Sequence, residues 1–111
     1  MNMTRIIIGT SYLPVKCKQE DLQEIVNHVI DECEDHFSFN DLLNQIKTKV
    51  EFEKEPNIEY GTIDFNGMDI DFINRITWEQ IWDKKLMIDL TVKKPYRDPE
   101  IFHFIKIKTA N

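Results

Sequence analysis

The chain has 111 residues, of which 41% are hydrophobic and 31% charged, with a formal net charge of −6 at pH 7. That length fits one domain over residues 1–111 with a single core, and the composition excludes the disordered and membrane-embedded classes. Its acidity disfavours broad contact with nucleic acid or an anionic membrane and suits a protein partner with a basic surface.

Residues 4–9 (TRIIIG) form a β-branched run closed by glycine, which predicts a short strand. Three successive isoleucines predict burial on both faces, hence a central position in a sheet. Residues 11–18 contain Pro14 and no periodicity, and read as loop. Over residues 20–34, Leu22, Ile25, Val26, Val29, Ile30 and Cys33 recur at helical spacing, with Glu20, Asp21 and Glu24 at the end where the helix dipole favours acids. A second helix is expected to start at Ser38, whose hydroxyl pairs with Asp41 as a capping box, with Phe37 stapled on Leu42 and with Leu42, Leu43, Ile46 and Val50 facing inward. Residues 51–57 (EFEKEPN) read as an exposed connection.

Residues 58–73 admit two readings. Asn66-Gly67 between two alternating runs is the strongest short hairpin signal, pairing Phe65 with Met68 and Ile63 with Ile70. The rival starts a helix near Met68. The alternation of Met68, Ile70 and Phe72 favours the strand. Thr77 with Gln80 then caps a short helix carrying Trp78, Ile81 and Trp82 and ending at Lys84-Lys85. A terminal hairpin follows: Leu86, Ile88, Leu90 and Val92 share one face, Ile101, His103, Ile105 and Ile107 another, and Lys106 and Lys108 point outward. The expected fold is α+β, an antiparallel sheet in the order β-α-α-β-β-α-β-β covered by two amphipathic helices.

Charge is unevenly distributed. Residues 1–50 hold five cations against eight acids, residues 51–83 two against nine, and residues 84–111 seven against three. The candidate binding residues are therefore the basic hairpin tip, Lys93, Lys94, Tyr96 and Arg97, with Lys84 and Lys85 nearby. Cations beside an aromatic ring on a protruding turn can meet phosphates or an acidic protein; they also keep an edge strand from pairing. If residues 68–85 are helical, helices followed by a basic hairpin resemble a winged-helix DNA-binding domain in topology alone. That resemblance implies the hairpin as the wing and a helix within residues 68–83 in the major groove, although Asp69, Asp71, Glu79 and Asp83 would then face phosphates.

Other constellations carry less. Asp64, Asp69 and Asp71 are weak candidates for a metal: in the hairpin register Asp64 faces Asp69, but the glycine stands at the wrong position for a calcium loop. Cys33 and His36 form half of a zinc motif, with Cys17 and His28 conceivable further ligands, yet Cys33 completes an apolar stripe. His103 lies near Asp89 by rough register and reads as a satisfied core histidine on the opposite side. Glu51, Glu53 and Lys54 fall near the Glu-x-Lys of some nuclease cores, a tripeptide common by chance, without matching its spacing. Trp78 and Trp82 serve as interface anchors or, as the domain's size favours, as core.

No cofactor is implied, and no nucleophile elbow or glycine-rich loop is present. Two isolated cysteines read as reduced thiols in a cytoplasmic protein, with neither signal peptide nor membrane span. The function expected is that of a small non-enzymatic interaction or regulatory protein binding a protein partner, of the immunity, inhibitor or phage-accessory type. The alternatives are a winged-helix-like DNA-binding regulator and, more weakly, a small metal-dependent hydrolase.

Overall fold

In the computed structural model, which describes residues 4–89 and 103–107, the elements are β1 (Arg5–Leu13), α1 (Gln19–Glu32), β2 (His36–Ser38), α2 (Phe39–Lys47), β3 (Ile58–Phe65), α3 (Gly67–Trp82), β4 (Leu86–Ile88) and β5 (His103–Lys106). The fold class is α+β, as the sequence indicates. Strands β2, β5 and β4 form an antiparallel sheet with β5 in the middle, while β1 and β3 form a separate parallel pair.

The two first helices follow their residue pattern. α1 buries Leu22, Val26, Val29 and Ile30, and α2 buries Leu42 and Ile46. The capping box of α2 is complete: Asp41 N donates to Ser38 Oγ at 3.0 Å, and Ser38 N donates to Asp41 Oδ2 at 3.2 Å. A short strand, β2, stands between them and buries Phe37 against Phe104.

The element order departs from expectation after Phe65. No hairpin forms at Asn66-Gly67. Asn66 instead caps a helix, its Oδ1 accepting from Asp69 N at 2.8 Å, and one continuous α3 replaces the second hairpin strand and the short helix. The physical reason lies in the longer pattern. Ile73 and Ile76 are fully buried and Ile70 partly so, a helical repeat that outweighs three alternating residues. Asp69 also binds elsewhere, its Oδ2 accepting from Val15 N at 3.0 Å and tying the end of β1 to the start of α3.

The two strands expected of the terminal hairpin pair antiparallel, with Leu86 opposite Lys106 and Ile88 opposite Phe104. Leu86 is buried, as its face requires, but the second strand is turned over. Phe104 enters the core, whereas His103 and Ile105 lie on the outer face. Lys106 consequently points inward, where Nζ donates to the carbonyls of Asp31 (3.0 Å) and Cys33 at the end of α1. A cation there meets the negative pole of the helix, so an apparent outward lysine caps a helix. Leu90, Val92, Ile101 and Lys108 lie outside the described residues.

β1 is the other correction. Its three isoleucines do not sit centrally, because β1 pairs only with β3 among the described residues and leaves Ile6 and Ile8 exposed. It also continues through residues 11–13, which the sequence reads as loop. Beyond it, Val15 bridges to Phe52, with Lys16 N donating to Glu51 O at 2.7 Å and Glu53 N to Pro14 O at 2.8 Å.

Candidate partner-binding face

The continuous α3 decides where the tryptophans go. At about 100° per residue, Trp78 stands about 140° around the helix from Ile73. With Ile73, Ile76 and Thr77 turned to the core, Trp78 and Trp82 must point away from it. Trp78 is 48% and Trp82 87% exposed. Thr77 fills the inward position instead, its hydroxyl donating to Ile73 O at 2.9 Å inside the helix, while Gln80 Nε2 donates to Asn27 Oδ1 of α1 at 3.0 Å. The helix is thus anchored on one side and bare on the other. The bare side carries Met68, Asp71, Arg75, Trp78 and Trp82, all exposed. The expectation that both tryptophans are core is overturned, and the signal that finds them is the Ile73–Ile76 repeat continued through a helix beginning at residue 67.

Trp78, Ile81, Trp82 and Lys84 line a shallow, open concavity of about 540 Å³. Its edge is built by the end of α3. Asp83 N donates to Glu79 O at 2.9 Å, Lys84 N to Ile81 O at 3.0 Å and Lys85 N to Gln80 O at 2.9 Å, the paired bonds of a Schellman ending. The turn puts Lys84 at φ 62, a left-handed conformation usually given to glycine. Lys84 and Lys85, both sequence candidates, are exposed here, Lys84 against the tryptophans. Lys93, Lys94, Tyr96 and Arg97 lie outside the described residues.

The acidic trio is not assembled as the hairpin register required. Asp64 belongs to β3, where its Oδ1 accepts from Phe65 N at 2.8 Å and lies 4.0 Å from Lys47 Nζ. Asp69 is engaged with Asn66 and Val15, and Asp71 is exposed on α3. Among the described residues no group of three His, Cys, Asp or Glu side chains is arranged to hold a metal. Cys33 is buried, 3.6 Å from Gln45 Oε1, and burial pushes its thiol above the ordinary value; Cys17 is raised first by burial and then by Asp21 and Asp69. His28 pairs with Glu32 at 3.0 Å on the exposed side of α1. Glu51, Glu53 and Lys54 line a separate open concavity of about 740 Å³.

The sequence reading sets His103 near Asp89 but on the opposite side, and misses His36, which joins them. His36 Nε2 lies 2.7 Å from Asp89 Oδ2, and the rings of His36 and His103 stack at 5.2 Å. Asp89 and His103 are therefore neighbours on the outer sheet face, where Asp89 N donates to His103 O at 2.8 Å. The cluster laces β2 to β4 across β5. A His–Asp pair can activate a nucleophile; the nearby hydroxyl is that of Ser38, whose Oγ accepts the α2 capping bond.

Compared with protein-family models, curated proteins and solved structures, the chain finds no match in any of the three. Among the described residues no helix is long and apolar enough to cross a membrane.

Proposed function

We propose that the chain is a small non-enzymatic interaction domain that binds a protein partner through the exposed face of α3. The observation that carries this reading is the exposure of both tryptophans of the chain, Trp78 and Trp82, on one side of a helix whose other side buries Ile73, Ile76 and Thr77. Tryptophan, methionine and arginine are the residues enriched where proteins bind one another, and Met68, Arg75, Trp78 and Trp82 share this side. An aromatic concavity offers an anchor pocket, and Asp71, Glu79 and Asp83 beside it suit a partner with basic residues at the rim. The two cysteines are free thiols, in keeping with a reducing, cytoplasmic setting. Capture with the full chain from its source cell is expected to yield a stoichiometric complex that Trp78→Ala/Trp82→Ala weakens at least about 30-fold, the effect of one interface anchor. Equal capture by the variant contradicts the reading.

A second reading keeps the winged-helix resemblance, favoured by one observation: α3 is a helix and an antiparallel strand pair follows it directly. The exposed side of that helix sets Asp71 and Glu79 against the one cation Arg75, so binding to a duplex would rest on the hairpin residues. This reading expects affinity that falls steeply with salt and is lost in Lys93→Glu/Lys94→Glu/Arg97→Glu. Absence of duplex binding at low salt removes it.

A further inference from the structure

The charges around the two tryptophans fall on opposite flanks of the helix. Counting from Trp78, Trp82 stands about 40° round α3, with Glu79 about 100° and Asp83 about 140° round in the same direction. Ile81 stands about 60° round the other way. One flank of the indoles is therefore acidic, and Glu79 and Asp83 are both exposed there. The other flank is the shallow concavity, whose lining is Trp78, Ile81 and Trp82 with a single cation, Lys84.

The fold fixes where that cation starts. Lys84 N is bonded to Ile81 O, and Lys85 O accepts from Ile107 N at 2.9 Å, which ties the turn to the end of β5. Among the described residues, Glu79, Asp83 and Lys84 take part in no ion pair. The ammonium group at the concavity is thus left for whatever settles there. A wholly apolar occupant would strip water from it and return nothing. A cation would meet repulsion, while a carboxylate supplies the complementary charge.

We propose, on the footing that the tryptophan face binds the partner, that the concavity receives a bulky apolar side chain of that partner with a carboxylate next to it. The apolar group lies on the indoles of Trp78 and Trp82, and the carboxylate meets Lys84 Nζ. Cations of the partner are confined to the opposite flank, against Glu79 and Asp83. The face therefore has a polarity, and a partner segment can seat on it in one direction.

Three small probes test this on the full chain. Phenylbutyrate, phenylbutyramide and phenylbutylamine share a ring and a chain length and differ in charge. Each is titrated against the isotope-labelled protein, and the two indole N–H resonances are followed. The carboxylate is expected to bind about two- to five-fold more tightly than the amide, the effect of one exposed ion pair, and the amine more weakly than both. Lys84→Met is expected to bring the carboxylate to the affinity of the amide and to leave the amide unchanged. An amide that binds as tightly as the carboxylate overturns the proposal, as does an amine that binds most tightly. So does a carboxylate that moves neither indole resonance, or one whose advantage survives Lys84→Met. These outcomes leave the tryptophan face itself standing, which is tested separately by capture with Trp78→Ala/Trp82→Ala.

Discussion

Lys84 shows how a single residue bears on the proposed site. Its backbone at φ 62 costs a side-chain-bearing residue about 1 kcal/mol relative to glycine. That cost is carried at the lip of the tryptophan concavity, and sparsely populated backbone at a candidate site is informative when observed directly. Lys84→Gly is therefore expected to stabilise the fold by about 1 kcal/mol while weakening partner binding, read by urea unfolding and by capture. Cys33 tests the core. Burial raises its thiol, so the folded chain keeps the proton after the unfolded chain has lost it. Below the ordinary value of 9.0 both states are protonated and nothing changes; above it stability falls as pH rises. The stability of the wild type relative to Cys33→Ala is expected to decline as the pH rises past the ordinary thiol value of 9.0. A constant difference contradicts the burial argument.

At the scale of elements, Asn66-Gly67 separates what the residues declare from what they leave open. The pair is equally good as a type I′ turn and as a helix start, because asparagine serves both roles and glycine hinders neither. Local chemistry could not decide; the burial of Ile73 and Ile76 does. The two substitutions at this pair behave oppositely under the two structures. With the helix, Asn66→Ala loses a cap worth about 1 kcal/mol, while Gly67→Ala is neutral or stabilising by up to about 1 kcal/mol, as a Cβ there meets nothing within 4 Å. With a hairpin, Gly67→Ala would be the damaging change. α1, the capping box at Ser38 and the β4–β5 pairing were legible because each signal is local and self-consistent. The faces of β5 were not legible, since His-Phe-Ile-Lys alternates apolar and polar groups imperfectly and only the docking of Lys106 on the end of α1 selects the register. The site was hidden for the same reason as the helix. Once α3 runs from Gly67, Trp82→Ala is expected to alter stability by less than about 0.5 kcal/mol, whereas Ile73→Ala costs about 2–5 kcal/mol, both read from urea midpoints.

At the scale of the molecule, the described residues form a packed body of three helices and three antiparallel strands with two underused apolar surfaces, the outer side of α3 and the edge of β1. The first is aromatic and rimmed by acids, so it suits a different protein with basic residues. Tryptophan fluorescence isolates the first, because the chain has two tryptophans in all and both lie on that face. The central claim is that this face is open in the free chain and closes on a partner. The most direct measurement is acrylamide quenching of that emission, in the free chain and in the complex recovered by capture. Emission is expected to be quenched readily in the free chain, and in the complex to shift to the blue and be quenched several-fold less. Emission already shielded in the free chain, or a complex that leaves quenching unchanged, contradicts it.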